Sequence, residues 1–296
     1  MSIVHLLPVI INLSIALIVF GLGLGASLND AAYLIRRPGM LFRSLLSMNV
    51  VMPVFAMLLV VLFDLNPAIE LAIVALSLSP VPPFLPSTQT KGGGTAPYVV
   101  SLLVTTSVLS VVIVPLGIMS IEAIRHVHAD LPKVAVSLLL TVTLPLISGM
   151  LLHDLFPRFA SRALRPASII GMGLLVLVLV PVLIFEWQVV WSMVGDGTLV
   201  ILVLFAFVGL TVGHLLGGPN PHDQVVLALA TASRHPGVAI AVAAVNTEHV
   251  APVAAVVIWH LVVGVVLAGP YIKWMHLLPS VPTHKPPVKP HSPPIR

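Results

Sequence analysis

The chain has 296 residues, of which 58% are apolar and only 8% charged, and its formal net charge is +4. Soluble domains carry roughly 25% charged residues, so this composition excludes a soluble globular enzyme, and it equally excludes a disordered chain, which needs low hydrophobicity and high charge. The mean hydropathy of +1.11 and the absence of cysteine point instead to a polytopic membrane protein without disulfides, thiolate metal sites or a cysteine nucleophile, and its few scattered cations form no nucleic-acid-binding patch.

A bilayer core about 30 Å thick takes about 20 apolar residues per crossing. Nine such segments are predicted, at roughly 6–26, 39–63, 67–88, 95–119, 131–153, 166–186, 198–216, 223–245 and 250–274. The interruptions are short, among them Arg36-Arg37-Pro38, Asp64-Leu65-Asn66, Pro157 to Arg165 and Gly217 to Pro221. The apolar runs are continuous rather than alternating, so the expected fold is an all-α bundle and not a barrel. The first segment lacks a cationic start and is too long for a signal sequence, which makes it a retained helix. Residues 1–278 are expected to form the membrane domain. Residues 279–296, PSVPTHKPPVKPHSPPIR, are a basic proline-rich tail expected to be disordered.

Placing the N-terminus outside and alternating through nine spans puts 11 of the 14 Lys and Arg residues on the cytoplasmic side, with Arg125 and Lys133 outside and Arg234 inside a span. The positive-inside rule counts these residues in short loops. The split therefore supports an N-out, C-in protein with an odd number of spans.

Two spans cannot be continuous helices. The third ends in Ser79-Pro80-Val81-Pro82-Pro83-Phe84-Leu85-Pro86-Ser87-Thr88-Gln89, where Pro80, Pro82, Pro83 and Pro86 remove donors and clash with preceding carbonyls. The eighth carries Thr231-Ala232-Ser233-Arg234-His235-Pro236-Gly237 near its middle. Unwound backbone at membrane depth survives only where protein or a water-lined cavity satisfies it. Interrupted spans in corresponding positions of two halves mark the binding site of inverted-repeat transporters. The halves here are roughly 1–120 and 130–275. Arg234 at mid-span costs on the order of 3 kcal/mol on insertion scales and should face the bundle interior. With half-helix N-termini it creates a positive locus suited to an anion.

At these residues the chain resembles the bile acid:sodium symporter family. Phe20-Gly21-Leu22-Gly23-Leu24 followed by Arg36-Arg37-Pro38 is similar to that family's "FGMGL…RRP" segment. Ser79-Pro80 with Lys91-Gly92, Pro236-Gly237-Val238-Ala239, and Trp259-His260 are similar to its "PGG…SN…AKG", "QNSGLA" and "WH" stretches. The resemblance implies a panel and a core domain, two broken helices crossing in the core, and sodium-coupled uptake of organic anions such as bile acids or smaller carboxylates. It also implies sodium ligands in a Ser-Asn pair and in an acidic residue four before a Gln-Asn. Here the first falls among Pro83 to Pro86 and the second on Ala230, with Arg234-His235 in place of Gln-Asn. The two-sodium chemistry is therefore expected to be lost or rebuilt, with oxygens of Ser87, Thr88, Gln89, Thr231 and Ser233 lining the site.

The expected function is secondary active transport of a small organic anion by alternating access within the lipid bilayer. Arg234 would be the anion contact, with Ser233, His235, Thr231, Ser87, Thr88 and Gln89 beside it. Pro80, Pro82, Pro83, Pro86, Pro236 and Gly237 would hold the helices open. No cofactor is called for, and Na+ fits the residues poorly. His235, whose ordinary pKa lies near neutrality, suggests proton coupling as an alternative; a hydrogen-bonded neutral histidine is the plainer reading, as an interhelical hydrogen bond is for His260. His126, His128 and Asp130 are too loosely spaced for a metal site to be argued. A sensor that keeps the fold without transporting is a rival of another class. An intramembrane hydrolase is a weaker one, because Ser233 and His235 lie two apart and diverge on a helix.

Overall fold

A computed structural model describes residues 3–63, 65–82, 88, 93–125, 131–185, 187–192, 197–246 and 250–277. Among them there is helix and no strand. The prolines Pro83 and Pro86, Ser87, Gln89, the 126–130 loop and the 279–296 tail lie outside the described residues. In chain order the helices are α1 (Ile3–Leu24), α2 (Leu28–Ile35) and α3 (Pro38–Leu62), then α4 (Pro67–Leu78) and α5 (Ala96–Arg125). Helix α6 starts as Leu131–Leu138 and continues through a wide turn into Leu144–Leu155. It is followed by α7 (Pro157–Phe185), α8 (Trp187–Ser192), α9 (Thr198–Leu216), α10 (Pro221–Ala232), α11 (Pro236–Asn246) and α12 (Val250–Leu277).

Proline opens α3, α4, α7, α10 and α11. At the first helical position its missing N–H is no loss, and its fixed φ suits the helix. Among the described residues six helices are long and apolar enough to cross a membrane, or seven if α1 and α2, bent by 88°, form one span. This is fewer than nine, because α4, α10 and α11 have 12, 12 and 11 residues. At 1.5 Å per residue each is about 18 Å long and too short to cross alone.

Two stretches between the predicted spans are helical. The stretch Pro157 to Arg165, read as a loop, is the first two turns of α7, because Pro157 starts the helix and alanine, leucine and arginine continue it. Arg158, Arg162 and Arg165 all lie exposed on it. The link after the first span holds α2, a short helix started by a capping box in which Ser27 accepts from Asp30 N–H at 3.0 Å.

Helix α1 packs between α6 and α7. Gly23 of α1 faces Gly149 of α6, and a β-carbon at Gly23 would lie 3.0 Å from Gly149 Cα. His153 on α6 hydrogen-bonds the terminal Leu24 carbonyl at 2.8 Å. Helices α3, α4 and α9–α12 form the second group, with α5 linking it to α6. In that group Gly209 and Gly213 of α9 lie against Ala232 and Ala228 of α10. Small residues every fourth position bring two helix backbones close, which in lipid is a principal source of packing energy. Gly213→Ala is therefore expected to destabilise the protein by about 1–3 kcal/mol through overpacking, because its β-carbon would sit 2.5 Å from Ala228 Cα and Leu227 O. Gly173→Ala, with nothing within 4 Å of its β-carbon, should unfold no earlier than the parent chain in a thermal melt.

Candidate functional site

The two breaks meet. Helix α4 stops at Leu78, and Ser79 is already extended at φ −72°, ψ 149°. Prolines cause the stop by withholding N–H groups from carbonyls four residues earlier. Pro80 leaves the Leu76 carbonyl without its helical donor, and the Ser79 carbonyl lies past the helix end, where no helical donor follows. The Leu76 carbonyl is recovered locally, accepting from Ser79 N–H at 3.1 Å and Ser79 Oγ at 2.8 Å. The carbonyls of Ser79 and Pro80 are satisfied from the other break. His235 N–H donates to Pro80 O at 3.0 Å, and Arg234 Nη1 donates to Ser79 O at 3.3 Å.

The third freed carbonyl lies on α3. Pro53 interrupts its ladder, and the helix widens at Leu46–Val51 into a π-helical turn, in which Met52 N–H bonds to Ser47 O, five residues back. Met48 O would next pair with residue 53, which is proline and has no N–H. Arg234 Nη2 donates to it at 2.9 Å. One guanidinium thus bridges the carbonyl freed by Pro53 on α3 and the Ser79 carbonyl at the end of α4. A second link joins the same elements, Ser47 Oγ to Thr231 Oγ1 at 2.7 Å.

On the other side, α10 ends at Ala232, and Ser233 is extended at φ −102°, ψ 132°. Pro236 opens α11, and His235 Nδ1 accepts from Val238 N–H at 3.2 Å. This is an N-cap, made by an imidazole instead of the usual hydroxyl or carboxylate. The cap uses the lone pair on Nδ1, so the ring carries its proton on Nε2. Gly237 follows, with a β-carbon there meeting Ile15 of α1 at 2.6 Å. The α1 group therefore touches the crossing at this glycine.

Arg234 is 0% exposed and His235 5%. Arg234 Nε and His235 Nε2 are buried without hydrogen-bond partners among the described residues. No acidic residue lies between Glu70 and Glu122 or between Asp223 and Glu248, so neither break supplies a carboxylate to the guanidinium. Of the residues expected at the site, Thr231, Ser233, Arg234, His235, Pro80, Pro82, Pro236 and Gly237 fall at the two breaks. Thr88 is half-buried. His260 is 1% exposed, stacks edge-on to Phe205 at 5.6 Å, and has no partner for Nδ1 among the described residues.

Sequence reasoning missed Ser47, Met48 and Thr106, which reaches Val81 N–H at 3.4 Å. It also missed a signal that was present. Asn66-Pro67 and Asn220-Pro221 begin the two 12-residue half-helices, Ser79 and Ser233 end them, and both pairs are 154 positions apart. Each asparagine caps its helix, accepting from Ala68 N–H at 3.0 Å and from His222 N–H at 3.1 Å. On that offset Arg234 stands where the first half has Pro80.

The family model for the sodium bile acid symporter family matches residues 12–193. The chain belongs to the sodium bile acid symporter family. It is an integral, multi-pass membrane transporter of that family. No curated protein matches it. The family match includes the first break and ends before the second, so the arginine-bearing half of the crossing is known from its geometry.

The Ser47–Thr231 bond gives a test of how the crossing is held. Ser47→Ala or Thr231→Val alone leaves the other hydroxyl buried and unpaired, at a cost of about 1–3 kcal/mol. The double variant removes both polar groups and should cost less than the sum of the single changes, which a double-mutant cycle of thermal melts in detergent measures.

Proposed function

We propose that this symporter-family chain carries a small organic anion by alternating access, with the substrate passing between the α1–α6–α7 group and the crossing of the two breaks. The observation that carries the reading is a fully buried arginine at that crossing with no carboxylate on either broken segment. An uncompensated charge in a low-dielectric interior attracts a counter-ion strongly. The N-terminus of α11 adds a partial positive charge at the same place. The family description names bile acid and sodium, and a carboxylate-bearing solute fits the sign of this locus.

In this arrangement Arg234 spends one hydrogen on each of two carbonyls and keeps Nε–H without a partner among the described residues. That donor is the one we assign to the substrate when the two helix groups separate. The seat of Ile15 on Gly237 is where they would part. Equivalent half-helices at a fixed offset support the inverted-repeat organisation, with halves near 1–120 and 130–275. A proton-driven version of the same reading would require His235 to charge at Nδ1, which would cost the cap on Val238. We therefore favour a neutral His235.

Reconstituted into liposomes, the protein is expected to take up labelled organic anions. Arg234→Gln should lower uptake at least about tenfold, the loss of roughly 1.4 kcal/mol or more of substrate interaction, and undiminished uptake by a folded variant would refute the assignment. Gly237→Val, which fills the Ile15 contact, should also abolish movement.

The proposed N-out, C-in orientation has its own check. Because the chain has no cysteine, single cysteines can be read without background. A membrane-impermeant maleimide applied outside intact cells should label Gly197→Cys and spare Arg36→Cys; the reverse pattern would overturn the orientation.

A further inference from the structure

The family description names sodium, and the described oxygens at the crossing do not fit a sodium ion. A hard cation needs several oxygen ligands. At this crossing the Ser79 and Met48 carbonyl oxygens, the natural ligands left by the broken backbone, already accept from a guanidinium. The Ser47 and Thr231 hydroxyls are bonded to each other, and the Ser79 hydroxyl is spent on Leu76 O. Neither break has a carboxylate, and the nearest full charge is positive. A second cation placed there would be repelled by the first across a medium that screens poorly.

We propose that Arg234 is a tethered cation that does at this crossing what a bound sodium ion would do, drawing the freed carbonyls of α3 and α4 together, so that the transporter needs no sodium. The inference rests on reading the crossing as the transport site, and it adds the identity of the ion that organises it. Three features support a tether over an incidental buried arginine. The guanidinium bonds oxygens from two separate helices. Neither oxygen has a donor from its own helix, Met48 O because residue 53 is proline and Ser79 O because α4 has already ended at Leu78. The residue itself sits in the unwound segment between α10 and α11, so its charge gathers three elements at one point.

The test uses purified full-length protein and needs no substrate. Thermal melts are recorded in choline chloride, then with sodium chloride or guanidinium chloride replacing choline at constant ionic strength. The wild-type midpoint is expected to be insensitive to sodium; a saturable rise with sodium would overturn the proposal. Arg234→Ala is expected to lose roughly 5 °C or more and to recover about half of that or more, saturably, with sodium or with guanidinium at sub-denaturing concentration. A variant as stable as the parent, or one that no cation restores, would overturn it. Should the alanine variant not fold, Arg234→Lys keeps a positive charge at the position, and its midpoint should stay sodium-insensitive; a sodium response there counts against the tether. An uptake assay on the same preparation separates the two readings. Absence of any anion flux would defeat the transport assignment while leaving the melts intact, whereas sodium-dependent melts with normal flux would defeat only the tether.

Discussion

A carbonyl oxygen inside a bilayer must find a donor, and that requirement shapes the centre of this protein. Pro53 and Pro80 withhold N–H groups from the carbonyls of Met48 and Leu76, and the end of α4 leaves the Ser79 carbonyl without a helical donor. One of these is repaired locally, by Ser79 on Leu76, and the other two are held by Arg234. The peptide N–H of His235 supplies the Pro80 carbonyl beside them. The second broken helix is thus the hydrogen-bond complement of the first. Separating them without replacement would leave several buried polar groups unpaired at a few kcal/mol each.

Around that centre the packing follows the sizes of side chains. The spacing of Gly209 and Gly213 lets α9 lie against α10, whose end leads into the unwound segment, so the position of Arg234 depends on glycines that carry no chemistry. On the other side of the molecule Gly23 and Gly149 bring α1 against α6 in the same manner. The two groups meet near the crossing at Ile15 and Gly237, where the absence of a β-carbon lets Ile15 approach the backbone closely.

Much of this was legible from composition and proline placement. The all-helical membrane character, the two interruptions and the burial of Arg234 follow from apolar run length, from proline chemistry and from the cost of a charge in lipid. The partner of Arg234 was not legible, because Met48 O is orphaned by Pro53 through a π-helical turn, and no residue type announces a widened turn. The Asn-Pro and Ser pairs 154 positions apart were on view, but the apolar residues between them differ enough to hide the repeat from hydropathy alone. The stretch with Arg158, Arg162 and Arg165 was set apart from the spans for a related reason: cationic residues interrupt hydropathy without interrupting a helix.

A positive charge covalently fixed at mid-chain has an electrical consequence. A dissociable cation that enters with an anion is delivered to the other side and offsets the anion's charge. In the proposed transport cycle the guanidinium of Arg234 would return with the protein each time and contribute nothing net. A singly charged anion moved without any other ion therefore crosses against or along the full membrane potential, worth about 2.3 kcal/mol per 100 mV. Where the cell interior is negative, that field drives such a solute outward, and accumulation inside would demand a steep chemical gradient or an exchange for another anion.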